Sequence, residues 1–190
     1  MPNKIKKQPH IVKGFSRFAH TYEEYSIIQT EVAKQLVSSL KEKHYSTVID
    51  VGCGSGAVFK SLGECSIGFD RFIALDLSEE MLALHPCGAN IIKACVDFNS
   101  NELLGEFVGD RDTLVLSSSA LQWSTDLDRT LSGLSRCAKR AHFAIFTSGT
   151  FKTLHQNAGI TSPIYSAQEI KAAIGNYYDA TFILHSYQLR

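Results

Sequence analysis

The sequence has no excess of charge of either sign: nineteen Lys and Arg stand against nineteen Asp and Glu, a formal net charge of zero. Broad nucleic-acid binding needs a dominant positive field, so that class is not expected. No apolar run approaches the roughly 18 residues of a membrane span, so no membrane partner is expected. The basic start MPNKIKKQPH is followed by no apolar stretch of the kind that makes a secretory signal. Cysteine is scarce and unpatterned. The five (Cys53, Cys65, Cys87, Cys95, Cys137) are odd in number and form no C-x-x-C. Structural zinc and a disulfide framework are therefore poorly supported, and a reduced compartment fits best. The seven histidines are scattered with no pair at ligand spacing, and no metal site is expected. There is no internal repeat and no low-complexity tract. What remains is one domain of 190 residues with ordinary apolar content, expected to be soluble and cytoplasmic.

The chain is organised around VIDVGCGSG at residues 48–56. A short apolar run of strand type carries one acid, Asp50, and then breaks into alternating glycines, Gly52, Gly54 and Gly56. Glycines allow a strand to turn sharply into a helix and let backbone N–H groups approach a ligand. A second strand-like run at 72–75 ends in Asp76, where an α/β nucleotide site holds a ribose through its hydroxyls.

Further strands are expected at 90–96, 113–118, 142–147 and 180–189. Helices are expected from about 56 to 62, from Ser78 as N-cap to His85, over 126–137, and over 167–174 with Ser166 as N-cap. Residues 103–107 read as a short helix or irregular turn. Residues 1–13 read as a flexible basic arm, 14–45 as an N-terminal helical lid with a break near 25–28, and 46–190 as the core. Strands alternating with helices predict an α/β fold, a mostly parallel sheet with helices on both faces. Ligands in such sheets lie at the carboxyl ends of the strands, which puts the glycine turn, Asp76, Asp97 and Ser117 along one rim.

Gly52-x-Gly54-x-x-Ala57 formally matches a dinucleotide fingerprint. Against that reading, Asp50 would sit beneath a pyrophosphate and repel it, and some forty residues precede the strand where a dehydrogenase usually begins. An acid there suits a cationic or zwitterionic ligand such as S-adenosylmethionine. Asp50 would help hold the amino-acid end, Asp76 the ribose, and Asp97 with Phe98 the adenine.

The order hydrophobic–Asp–hydrophobic–Gly–x–Gly–x–Gly, then ALDLSEEML at 74–82 and VDF at 96–98, resembles the class I S-adenosylmethionine-dependent methyltransferases. FSRFAHTY at 15–22 and LVLSSSALQW at 114–123 resemble, within them, the malonyl-[acyl-carrier-protein] O-methyltransferases of biotin synthesis. The resemblance covers about residues 14 to 175. It implies a Rossmann-like fold, S-adenosylmethionine as cofactor, and a small-molecule or carrier-bound carboxylate as substrate, with acyl carrier protein as a partner. It implies cofactor contacts at Gly52, Gly54, Gly56, Asp76, Leu77, Asp97, Phe98 and Ser117, with Met81 against the adenine. It places Phe15, Arg17 and Tyr22 on a lid closing over cofactor and substrate, Arg17 on the cofactor side and Tyr22 as the catalytic candidate. Tyr22 also lies on an apolar stripe with Phe15 and Phe18, so core packing is an equal reading of it.

The chain departs from that pattern at Ser118, where an asparagine is usual, and at 136–141, where a Pro-Gly-Gly turn is usual. It is also expected to be shortened at its C-terminal end, lacking a helical insertion and a last antiparallel strand. A missing last strand exposes a sheet edge. Two alternatives to a malonyl-carrier methyltransferase stay open: an enzyme for another small carboxylic acid or metabolite, and a non-catalytic cofactor- or partner-binding protein.

Overall fold

Period-two alternation of apolar side chains sends successive residues of each central strand to opposite faces of one sheet. A computed structural model describes residues 27–100, 107, 109–150 and 152–186. The expected basic arm, the stretch with Phe15, Arg17 and Tyr22, and residues 103–106 lie outside these. In chain order the elements are α1 (Ile27–Ser38), β1 (His44–Val51), α2 (Ala57–Glu64), β2 (Gly68–Asp76), α3 (Glu79–Leu84), β3 (Ile91–Cys95) and β4 (Thr113–Ser118). A 3-10 turn (Leu121–Trp123), α4 (Leu127–Cys137), β5 (Arg140–Ala144), α5 (Lys152–Asn157) and α6 (Ala167–Gly175) complete the described chain.

The five strands pair in parallel in the order β3-β2-β1-β4-β5. The chain moves outward from β1 to β3, then crosses to the other side of β1 to form β4 and β5. The strand order therefore reverses between β1 and β4, and the crevice at their carboxyl ends is where such sheets take ligands. This is the α/β Rossmann-like arrangement that the sequence pattern predicts.

Alternation divides the core in two. Ile49, Val51, Ile73, Leu75 and Val115 pack on one face with Leu127, Leu131 and Leu134 of α4 and Ile170 and Ile174 of α6. Val48, Phe72, Ala74, Leu114 and Leu116 pack on the other with Ala33 and Val37 of α1, Val58 and Leu62 of α2 and Leu82 of α3. Helix α1 belongs to the stretch expected as a lid, and its buried Ala33 and Val37 join it to this second core face. The helix starts follow local capping. Ser78 accepts from Met81 N, Asp126 from Arg129 N, and Ser166 forms a reciprocal capping box with Glu169.

Two expectations are corrected. Residues 180–186 form no strand, and among the described residues β5 pairs with β4 alone. Phe182, Ile183 and Leu184 have strand-type side chains but are 40%, 74% and 71% exposed. Strand propensity reflects packing on a pleated, half-buried surface, and here neither ladder nor burial is supplied. Conversely, α5 forms between the strand expected at 142–147 and the helix expected over 167–174, where no element is expected. Among the described residues no helix is long and apolar enough to cross a membrane.

Ser117 and Asp50 are both fully buried in the sheet. Ser117 Oγ donates to Val51 O at 2.7 Å, tying β4 to β1. Asp50 sits opposite Ala74 on β2 and Leu116 on β4, and among the described residues neither of its oxygens has a hydrogen-bond partner. Burial, with Asp76 adding repulsion, holds its carboxyl well above the usual carboxylate range. A folded-state pKa above the unfolded one means that the folded chain binds the extra proton. The folded state is therefore favoured at low pH, and that advantage is lost as pH rises from about 4 toward the raised native value. Asp50→Asn removes the ionisation, so its stability relative to the parent is expected to grow as pH rises from 5 to 8. Urea unfolding at pH 5 and pH 8 measures this, and parallel pH profiles for the two proteins would contradict it.

Candidate functional site

The carboxyl end of β1 is fixed by bonds to the carboxyl end of β2. Gly52 N and Cys53 N both donate to Leu75 O, at 2.8 and 3.0 Å. Gly54 N donates to Asp76 Oδ2 at 2.8 Å, and Ser78 N donates to Asp76 Oδ1 at 2.9 Å. One carboxylate thus holds the glycine turn and the start of α3 together. The turn needs glycine for two separate reasons. Gly52 has φ 73°, and a Cβ on it would collide with the Cβ of Ala120. Gly56 has φ 94°, and a Cβ there would lie 2.8 Å from Pro86 and 3.1 Å from the His85 ring.

Above this clamp is a cavity of about 280 Å³. Its floor is Gly52, Cys53, Gly54 and Asp76. Leu77, Ser78 and Met81 form one wall, with Asp97, Phe98 and Asn99 beyond them. Ser118, Ser119, Ala120 and Trp123 form the opposite wall, and Gln29 and Thr30 of α1 border it. The structure therefore brings Gly52, Gly54, Asp76, Leu77, Met81, Asp97 and Phe98 together around one space.

Asp50, Gly56 and Ser117 are not brought to that space. Gly56 supports the turn from beneath by close approach to His85 and Pro86, and the next residues on β4, Ser118 to Ala120, line the cavity in place of Ser117. Arg17 and Tyr22 lie outside the described residues. The wall formed by Ser118, Ser119 and Trp123 was not singled out as site from sequence, where Trp123 reads as packing. Its available signal is the ALQW run directly after an apolar strand, and the sole tryptophan of the chain is half-buried on the cavity.

The electrostatics separate the groups. Burial raises Asp76 above the usual carboxylate range, while backbone N–H bonds from Ser78, Gly54 and Leu77 oppose the rise. Each Asp76 oxygen accepts one of the two short backbone bonds and has a second lone pair for another donor. Burial pushes the Cys53 thiol far up, with repulsion from Asp50 and Asp76 behind it, so this cysteine is a small wall residue and not a nucleophile. All five cysteines are free. Among the described residues no group of three His, Cys, Asp or Glu is placed to hold a metal ion.

The donor set fits S-adenosylmethionine. Asp76 can accept from both ribose hydroxyls, the glycine floor admits a ligand where a Cβ would fill space, and the Leu77, Met81 and Phe98 side chains offer apolar surface to an adenine. Lys60 of α2 also borders the cavity, and phosphate recognition is not required of it.

Residues 49–146, more than half of the chain, match a family model described as a methyltransferase domain. The chain is 28% identical over 178 residues to malonyl-[acyl-carrier protein] O-methyltransferase 2 of Coxiella burnetii, a match covering 90% of this chain and 68% of that protein. It is 29% identical over 150 residues to malonyl-[acyl-carrier protein] O-methyltransferase of Pseudescherichia vulneris, covering 77% of this chain and 57% of that one. The chain thus spans between about half and two thirds of the length of such relatives. Its fold is similar to a chain in the complex between the Haloferax volcanii Trm112 methyltransferase activator and the putative methyltransferase, at TM-score 0.70 and 20% identity, covering 86% and 75% of the two chains. It is also similar to an S-adenosylmethionine dependent methyltransferase from Mesorhizobium loti, at TM-score 0.58 and 19% identity, covering 78% and 82%. With a family model across its central strands and a glycine-turn cavity of matching design, the chain belongs to the class I S-adenosylmethionine-dependent methyltransferases, and its cofactor is S-adenosylmethionine.

Proposed function

We propose that this chain methylates a carboxylate oxygen, with malonyl carried on acyl carrier protein as the acceptor, in the cytoplasm and in the service of biotin synthesis. The observation that carries the cofactor half of this reading is the Asp76 clamp, which presents a fixed carboxylate at a glycine-floored cavity. The acceptor half is supported by the relatives named malonyl-[acyl-carrier protein] O-methyltransferase and by the FSR and ALQW runs.

When bound, S-adenosylmethionine supplies a sulfonium-activated methyl carbon. A carboxylate acceptor is already ionised near neutral pH, so no residue has to remove a proton from it. The task of this chain is then alignment and exclusion of water. In this reading Gly52, Gly54 and Asp76 hold the cofactor, and Leu77, Met81, Asp97 and Phe98 surround its base. Ser118 to Ala120 and Trp123 form the wall along which the acceptor enters. Of the stretch 14–45, the part before α1 is assigned to the lid, with Arg17 toward the cofactor and Tyr22 toward the acceptor. The alternatives are a different small carboxylic acid and a binding protein without turnover.

Titration with S-adenosylhomocysteine is expected to give micromolar binding and to change the emission of Trp123, the single tryptophan. Asp76→Ala is expected to weaken that binding at least ~100-fold, because a buried site loses its acceptor and the Gly54 N–H loses its partner. NADH should produce no response; binding of NADH instead would return the site to the dinucleotide reading. For the acceptor, methyl-ester formation on malonyl-acyl carrier protein is measured by mass spectrometry. Tyr22→Phe is expected to lower kcat by roughly tenfold with the S-adenosylhomocysteine Kd unchanged, as for a group acting on the acceptor alone. Cofactor binding with no transfer to malonyl-carrier would favour another acid or a non-catalytic role.

A further inference from the structure

Asp97 follows β3 and borders the cavity, but a carboxylate at a loop is a poor selector unless something fixes it. Asn99 does so with two donors. Its backbone N–H and its side-chain Nδ2 both donate to Asp97 Oδ1, at 2.9 and 2.8 Å. Asp97 Oδ2 accepts no hydrogen bond among the described residues, so it is the oxygen left for a ligand. The Asn99 amide is itself oriented. Its Oδ1 accepts from Thr125 N at 2.8 Å and from Thr125 Oγ1 at 3.1 Å. A backbone N–H can only donate, so Thr125 requires the oxygen of the amide on its side and turns Nδ2 toward Asp97. Thr125 lies two residues beyond Trp123, which lines the cavity. A single asparagine side chain therefore spans from the Asp97 loop to the Trp123 loop.

We propose that Asn99 is a positioning residue for base selection: it presents Asp97 Oδ2, held between two loops, to the 6-amino group of the adenine. The inference rests on the S-adenosylmethionine site described above and on Asp97 as its base contact. An amino group donates to that oxygen, whereas the 6-oxo group of a hypoxanthine would set acceptor against acceptor. Replacing the Asn99 amide by a carboxylate retains the acceptor for Thr125. It also removes the Nδ2 donor and places a second acid against Asp97, which favours a shared proton there. A proton carried on Asp97 Oδ2, rather than between the two acids, would be donated to a 6-oxo group.

The test is calorimetric titration of the full chain with S-adenosylhomocysteine and with S-inosylhomocysteine. The parent protein is expected to prefer the adenosyl ligand by roughly tenfold or more, as a site with a fixed, half-buried acceptor does. Asn99→Asp is expected to weaken the adenosyl ligand and leave the inosyl ligand unchanged or tighter, lowering the ratio by about fivefold or more. Asn99→Ala is expected to lower the ratio through loss of orientation, by at least about twofold. A merely structural role would weaken both ligands together. Ratios equal to the parent's in whichever of the two variants folds would overturn the proposal. Failure of the parent to bind S-adenosylhomocysteine at all would instead remove the cofactor-site reading, and this proposal with it.

Discussion

Asp76 is the constraint on which the rest of the site depends. Its two oxygens hold Gly54 N and Ser78 N, while Leu75 O beside it holds Gly52 N and Cys53 N. These four bonds join the end of β1, the end of β2 and the start of α3 at the place where the strand order is about to reverse. Without them the glycine turn would have a positive φ at three successive glycines and little to select one path over another. With them, the floor of the cavity is as rigid as the two central strands beneath it. The cavity wall is fixed in the same way one layer out, where Ser119 N donates to Ala144 O and Gln122 Nε2 to Ser119 O.

The clamp also explains why the glycines are not equivalent. Gly54 supplies a backbone donor, Gly52 supplies room for Ala120 on the facing wall, and Gly56 lets α2 begin against His85 and Pro86. His85 in turn stacks in an aromatic group with Phe59 and Phe72, at 5.5 and 5.6 Å between ring centres. A motif written as three glycines is thus three local contacts, only two of them on the cavity side.

Much of this was legible in sequence because it is local or periodic. Ser78 and Ser166 announce helix starts by chemistry that acts within one turn, and both caps form. The alternation of Val48, Ile49 and Val51 across the two core faces follows from strand geometry alone. What was not legible depends on partners elsewhere in the chain. The run at 180–186 has strand composition, yet a strand exists only where a ladder accepts it. Ser117 and Ser118 are adjacent and identical, and the pleat alone separates them: one is buried with its hydroxyl on Val51 O, the next borders the cavity. Trp123 reads as packing because an apolar side chain has the same signature on either wall of a cavity. Asn99 carries no motif at all; its role emerges only when Thr125, from another loop, is seen beside it.

Asp50 requires a change in the argument made from sequence. There it supplied negative charge beneath the turn for a cationic ligand. In the structure it is buried without a partner, and burial together with the nearby Asp76 favours its protonated form. Asp76 faces a similar cost of burial, but three backbone N–H groups act against it. Two carboxyl groups on neighbouring strands thus differ in hydrogen bonding as well as in burial. Burial acts against ionisation of both, and Asp76 alone has backbone donors that favour its ionised form. The fold thus disfavours a charge at Asp50, beneath the turn, and supplies hydrogen-bond donors to the carboxylate at the cavity floor, Asp76.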